Sequence, residues 1–445
     1  MSERGTIEKS RTRPIEVILS PLQRFLRLQA AGGVLLLVCT VLALAWANSP
    51  FAGSYQSLWH IQCTIGFGTF QLSKPLLLWV NDGLMAVFFL TVGLEIKREI
   101  LVGELSSLRQ ATLPIAAALG GMVVPAALYT ALNWGSTGAN GWGIPMATDI
   151  AFALGVLALM GSKVPVGLKV FLAALAIADD LGAVLVIAIF YTDDISAMSL
   201  GVGGLVLGVL MLSNMLGIRH PAVYAILGFF LWVAFLKSGV HATIAGVLLA
   251  GTIPVRTVLN CREYVNNSRR LLDEFERAGG AVDEKIPNER QFSIIQSLEA
   301  ASELAQAPLQ RLEHALHPWV AFFIMPVFAV ANAGVVLDST ALASFREPVT
   351  LGVILGLVIG KPLGIVAASW MAVRLGAAAL PTSVSWKQLH ATGWLAGIGF
   401  TMSLFIAGLA FGESAQLEQA KIGIIAASTV AGLSGLFLLR RATAS

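Results

Sequence analysis

Two adjacent carboxylates, Asp179 and Asp180, stand in the middle of the apolar stretch AALAIADDLGAVLVIAIF. Neighbours on a helix point about 100° apart, so both side chains can reach one polar cavity without lying along a single stripe. Two carboxylates this close resist ionising together. Burial and mutual repulsion raise the energy of the doubly charged state, so either protons or a cation must neutralise it, and those occupants compete. Competition for one site is the chemistry that exchange of a cation for protons requires. The structural alternative is a pair that caps a broken helix or bridges two helices.

Three more residues could join such a site. A charged side chain at the centre of a bilayer costs about 2.5 to 3.5 kcal/mol on insertion scales, so each one needs a partner, a water path or a function. Lys361, in LGLVIGKPLGIV, is a basic group deep in an apolar run and a natural counter-ion for Asp179. Pro362 follows it and frees a backbone carbonyl nearby. Asp149 follows Thr148 in GWGIPMATDIAFALG, where a break in the helix would expose helix ends. A carboxylate there can offset two positive N-termini, and the Thr148 hydroxyl can serve either a hard cation or a helix cap.

Such residues need a lipid-solvated frame. Of the 445 residues, 56% are hydrophobic and only 12% charged, and the mean hydropathy is +0.78. A water-soluble domain carries roughly 25% charge. Runs of about 20 apolar residues, each long enough to cross about 30 Å of hydrocarbon, predict one all-α polytopic membrane domain with about 12 transmembrane helices. They are expected near residues 30 to 48, 76 to 96, 112 to 132, 143 to 160, 167 to 190, 198 to 217, 221 to 237, 240 to 255, 316 to 336, 349 to 373, 389 to 411 and 420 to 439. With both termini cytoplasmic, the outer loops hold only Lys74, Arg346 and Lys421 among the 29 Lys and Arg. That asymmetry sets the orientation.

The expected organisation is therefore a basic cytoplasmic N-terminus over residues 1–29, a membrane domain over 30–439, and a short cytoplasmic C-terminus over 440–445. Residues 58 to 73, WHIQCTIGFGTFQLSK, alternate loosely around a glycine turn signal and predict a short periplasmic β-hairpin. Residues 256–312 form a polar segment of nearly balanced charge, expected to be a partly helical cytoplasmic insertion between the eighth and ninth helices. Three cysteines without metal-ligand spacing suggest neither a disulfide framework nor a zinc site. The net charge of +3, spread along the chain, gives no reason to expect a nucleic-acid partner.

The fourth span begins GWGIPMATDIAFALG and the eleventh GWLAGIGFTMSLFIAG. These glycine-interrupted stretches hold corresponding positions in spans three to five and ten to twelve. They suggest inverted-topology repeats with helices 4 and 11 interrupted, a pattern that points to a transporter's binding site.

The strings NDGLMAVFFLTVGLEIKRE, ATDIAFALGVLALMG, AIADDLGAVLVIAIFYT, LKSGVHATIAG, RLEHALHPW, GKPLGI and GIGFTMSLFIAGLAFG closely resemble those of the NhaA sodium/proton antiporters, in order, from about residue 20 to 440. That family is itself one of the known instances of the interrupted-repeat rule. The resemblance implies electrogenic, pH-regulated exchange that moves more protons inward than sodium or lithium outward across a bacterial inner membrane. By position it implies that Asp180 and Asp179 carry the ion and the protons, that Lys361 is their partner, and that Asp149 compensates charge. No cofactor is implied beyond the transported ions. A homodimer contact is implied within residues 58–73.

The resemblance further implies pH sensing by Glu95, Lys97 and Glu99 after the second span and by Glu313, His314 and His317 entering the ninth. Histidine titrates near neutrality, and Glu313 and His317 are four apart on one helical face. Read without the resemblance, these residues form an ordinary interfacial charge cluster. Asp82 and His241 also match family positions and are secondary candidates with a structural reading. The insertion at 256–312 is the main departure, being far longer than the family's usual link.

Other classes fit less well. An intramembrane aspartyl protease needs aspartates on separate helices, typically one in a GxGD string, which this chain lacks. An ATP-driven pump needs a phosphate-binding loop, also lacking. The alternative within transporters is a sodium-coupled solute symporter, which would need further solute-binding polar groups beside the carboxylates.

Overall fold

The computed structural model describes residues 31–67, 70–192, 195–279, 287–337, 339–381 and 383–444. The basic N-terminal stretch and the tip of the expected hairpin at Gly68 lie outside the described residues. Each of the twelve apolar runs contains helix. Eight helices are long and apolar enough to cross a membrane unaided: Leu76–Val102, Leu108–Asn133, Ala139–Ala158, Val166–Phe190, Ala197–Met215, Pro308–Asn332, Pro348–Arg374 and Ala415–Thr443. Two bent pairs, Ala31–Ala47 with Ala52–Trp59 and Trp386–Ala396 with Phe400–Phe411, raise the number to ten. Pro221–Leu236 is a shorter apolar helix. The run expected at 240 to 255 is helical only over Ile244–Thr252, since turns occupy the residues before it. Nine residues at about 1.5 Å each do not cover the hydrocarbon thickness.

The chain divides into two compact units. The first takes in Arg109–Ala183 and Met325 onward together with the helices before Ile61, and it holds both interrupted helices. Ala139–Met146 is a 3-10 turn, Ala147 and Asp149 are extended, and Ile150–Ala158 resumes as α-helix. Trp386–Ala396 gives way at Gly397, Ile398 and Gly399 before Phe400–Phe411, with a 44° bend. Glycine and proline set these breaks, because Pro145 supplies no N–H and the Gly397 to Gly399 pair carries no side chain to hold a helical turn together.

The Leu108–Asn133 and Pro348–Arg374 helices meet through small residues. A Cβ placed on Gly120 would run into the backbone carbonyl of Gly364, and one on Gly364 into that of Gly120. In lipid, such backbone approach replaces the hydrophobic effect as the source of helix association. Pro348–Arg374 also widens into a π-turn at Gly356–Gly360 just before Lys361 and Pro362. Pro362 donates no hydrogen bond to the preceding turn, so the ladder is already interrupted where the lysine stands.

The second unit comprises Gln62–Leu108 and Val184–Ile324. Its core gathers Leu94, Leu210, Leu231, Ala245, Leu249 and Leu309. The expected hairpin is a two-stranded antiparallel sheet, Gln62–Phe67 against Phe70–Pro75, with Gln62 opposite Pro75 and Thr64 opposite Ser73. The Thr64 hydroxyl donates to that of Ser73 at 2.8 Å. In the polar segment, Cys261–Arg277 and Glu289–Ala305 are helices that each start at an asparagine capping box, Asn260 with Glu263 and Asn288 with Gln291. They pack as a pair, with Ile294 and Ala301 buried and the Tyr264 and Ser302 hydroxyls 3.0 Å apart.

Candidate ion-binding site

Asp179 and Asp180 are both buried on the Val166–Phe190 helix, and Lys361 is fully buried on Pro348–Arg374. The Lys361 ammonium lies 2.6 Å from Oδ2 of Asp179. It also donates to the Met146 carbonyl, which the end of the 3-10 turn leaves without a helical partner. Asp180 adds its attraction to the same ammonium. The lysine therefore holds one carboxylate by direct contact and feels both.

Thr148 belongs to this group through its side chain. Its hydroxyl donates to Asp179 Oδ2 at 2.6 Å and is 3.0 Å from the Ala396 carbonyl, the last residue before the second break. Oδ1 of Asp179 has no hydrogen-bond partner among the described residues. Two carboxylates and a hydroxyl thus meet in one buried place, a set of hard oxygen donors suited to an alkali cation.

Asp149 sits one residue away and does different work. It caps Ile150–Ala158, its Oδ1 accepting from the Phe152 N–H at 2.9 Å. Its Oδ2 accepts from the Thr401 N–H at 3.1 Å and from the Thr401 hydroxyl at 2.5 Å, at the first turn of Phe400–Phe411. One buried charge therefore meets two positive helix ends, each equivalent to about half an elementary charge. The Asp149 N–H donates to Ile398 O at 2.7 Å and the Ser403 hydroxyl to Ile144 O at 2.8 Å, so the two interruptions are stitched across each other.

The sequence profile of the family described as Na+/H+ antiporter 1 matches residues 23–439. An Na(+)/H(+) antiporter NhaA of Oleidesulfovibrio alaskensis is 54% identical over 427 residues, 96% of this chain and 95% of the relative. Another from Koribacter versatilis is 50% identical over 446 aligned positions, covering 100% of this chain and 96% of the relative. An Na(+)/H(+) antiporter NhaA 1 of Saccharophagus degradans is also 50% identical, over 95% of this chain and 92% of the relative. The chain belongs to the NhaA family of sodium/proton antiporters.

The positions that the NhaA resemblance assigns to pH sensing lie in the second unit, and they divide into separate groups. Arg98 bridges two carboxylates: Nη2 is 3.1 Å from Glu99 Oε1, and Nε is 3.2 Å from Glu313 Oε2, close enough for an ion pair though not aligned as a hydrogen bond. Glu95 stands one helical turn before Glu99 and interacts electrostatically with Glu313, Arg98 and Glu99. Glu99 also accepts the Glu104 N–H at 2.9 Å, closing the end of its helix. Lys97 points elsewhere, donating to the carbonyls of Gly251 at 2.7 Å and Ile253 at 2.6 Å and so capping the C-terminal end of Ile244–Thr252.

Glu313 is buried, but His314 and His317 are exposed. His314 Nδ1 faces its own helix at Gln310 O, 2.8 Å away. The expected partnership of Glu313 with His317 is replaced by the pair with Arg98, because position 313 faces inward and 317 outward. Among the described residues no ion pair joins Glu313 to His317.

Of the secondary candidates, Asp82 is paired with Lys74 at 2.8 Å, and its carbonyl accepts from the Trp232 ring N–H at 3.0 Å. His241 Nδ1 is 2.9 Å from the Thr243 hydroxyl. The His241 contact is local, whereas Asp82 also ties its helix to Pro221–Leu236 through Trp232. Sequence reasoning passed over Arg98, Thr401 and Ser403, although Arg98 stands inside GLEIKRE and the other two inside GIGFTMSLF.

Proposed function

We propose that this protein exports sodium or lithium from a bacterial cell in exchange for a larger number of protons, using Asp180 and Asp179 as the shared carriers. The observation that supports this most is the buried triad of Lys361, Asp179 and Thr148 beside Asp180. With the cation site empty, the pair is neutralised by Lys361 and by protons. An arriving sodium ion takes the carboxylate oxygens, competes with the ammonium for Asp179 and displaces protons. Because a lysine–carboxylate pair and a second carboxylate both change partners, more than one proton can move per cation, which makes the exchange electrogenic.

Asp149 keeps the two opposed helix N-termini together while the carboxylates change state. The cluster of Glu95, Arg98, Glu99 and Glu313, with the exposed His314 and His317 at its edge, is the pH-responsive element. The scarcity of Lys and Arg in alternate loops supports both termini lying in the cytoplasm of a multi-pass inner-membrane protein. The hairpin within residues 58–73 supports a homodimer, since a two-stranded sheet is marginal alone and its open edge can be completed by a second copy.

The test is sodium-driven proton movement in proteoliposomes with a pH probe inside, adding sodium, lithium, potassium or no cation at pH values from about 6 to 9. Proton movement with sodium and lithium but not potassium, growing with pH, is expected. Solute uptake that needs sodium, with no proton movement at any pH, would replace the reading with symport.

A further inference from the structure

A groove of about 430 Å3 runs along the first unit between Pro348–Arg374 and Trp386–Ala396, lined by Ile359, Leu363, Val366, Trp370, His390 and Trp394 among others. Its wall is almost wholly apolar along its length, and Ile359, Leu363 and Trp370 are exposed in it. The polarity changes at one end. There the Arg374 guanidinium lies over the Trp370 ring, 5.3 Å from its centroid; the Trp394 ring N–H, which meets His390 Nε2 at 3.4 Å, lies farther along the groove, beside Gly393 where that helix packs on Pro362.

Lys387 is exposed and stands three residues before His390 and seven before Trp394, which places it on the same helix face, one turn nearer the helix start. Arg374 ends its helix and Lys387 lies in the first turn of the next, so both cations belong to the same end of the helix pair. Tryptophans with a flanking cation mark the depth at which a membrane helix leaves hydrocarbon for headgroups. The groove is therefore apolar at acyl-chain depth and cationic at headgroup depth.

We propose that this groove is a binding site for one anionic phospholipid, with an acyl chain along the apolar wall and the phosphate between Arg374 and Lys387. Charge selects the occupant: a zwitterionic lipid would leave the two cations with a compensated headgroup, whereas phosphatidylglycerol offers them a net negative charge. The groove also has a place in the mechanism. Pro362 and Leu363 line it immediately after Lys361, so the bound chain rests against the outer side of the turn whose inner side holds the ion pair with Asp179.

The test uses the full-length protein in phosphatidylcholine vesicles containing a small fraction of either phosphatidylglycerol or phosphatidylcholine with a photoactivatable diazirine on the acyl chain. Adducts are mapped by mass spectrometry. The anionic probe is expected to label residues 358–371 and 390–394 about fivefold or more above the zwitterionic probe. The Arg374→Gln/Lys387→Gln variant should bring that ratio close to one without changing labelling elsewhere. Equal labelling by the two probes in the unmodified protein, or a preference that survives the double substitution, would overturn the proposal. If the variant does not fold, competition by unlabelled phosphatidylglycerol in the unmodified protein decides in its place: the labelling falls if the site is selective and stays if it is not.

Discussion

Thr401 donates twice to Asp149 across 252 residues of sequence, through its backbone N–H at 3.1 Å and its hydroxyl at 2.5 Å. The backbone bond brings the helix end to the charge, and the hydroxyl fixes which oxygen receives it. Thr401→Val keeps the first bond and deletes the second. A hydrogen bond to a charged group is worth about 1.5 to 3 kcal/mol, so the variant should unfold at lower temperature and exchange more slowly, whereas Thr401→Ser should keep most of both. Thermal unfolding in detergent and transport in vesicles check this. A valine variant equal to the parent in both would show that the backbone bond suffices.

Lys361 and Asp179 make a buried pair in which each is the other's main compensation. Breaking such a pair from one side costs about 3 to 5 kcal/mol, because a charge is left uncompensated. Lys361→Gln and Asp179→Asn should each destabilise the protein, and the double variant should be more stable than the sum of the two predicts. Strict additivity in the thermal unfolding of the four proteins would mean that the two residues do not depend on each other.

Glu313 and Arg98 form the ion pair that ties the start of the Pro308–Asn332 helix to the end of Leu76–Val102. Glu313→Gln and Arg98→Gln remove the same interaction from opposite sides. Both should move the pH of half-maximal exchange by about half a unit or more, equivalent to about 0.7 kcal/mol, with little change in the maximal rate. The double variant should move it no further than either single one. Unchanged pH profiles for both single variants would reduce the cluster to packing.

Gly120 and Gly364 allow two helices to touch through backbone. Gly364→Ala should cost about 1 to 3 kcal/mol, since the added methyl meets a carbonyl group that cannot yield as a side chain would. Alanine at Gly204, which has open space around it, is the control expected to leave the unfolding temperature unchanged.

Much of this was legible in the sequence, for reasons specific to membranes. Hydropathy fixes spans because unsatisfied backbone is excluded from lipid, and a charged residue in an apolar run has so few excuses that Asp179, Asp180, Lys361 and Asp149 name themselves. The glycine and proline punctuation around Met146 and Ile398 showed where the helices break. What remained hidden was which side chains meet. Nothing in local pattern pairs Thr401 with Asp149, because that contact depends on how two distant breaks cross. The Glu313 and His317 spacing is correct for one helical face, yet burial separates them, and Arg98 won the contact from another helix. The short Ile244–Thr252 helix was hidden for a further reason: the run from 240 to 255 is apolar enough to span, and only the turns before Ile244 shorten it.

The proposed exchange requires sodium and protons to occupy one site built on Asp180 and Asp179. The most direct measurement adds sodium to the purified, unbuffered protein in detergent and records proton release with a pH indicator. Release should saturate with sodium in the parent protein and disappear in Asp180→Asn, which should remain folded because its volume hardly changes. Undiminished release from a folded Asp180→Asn variant, with the same dependence on sodium, would contradict it.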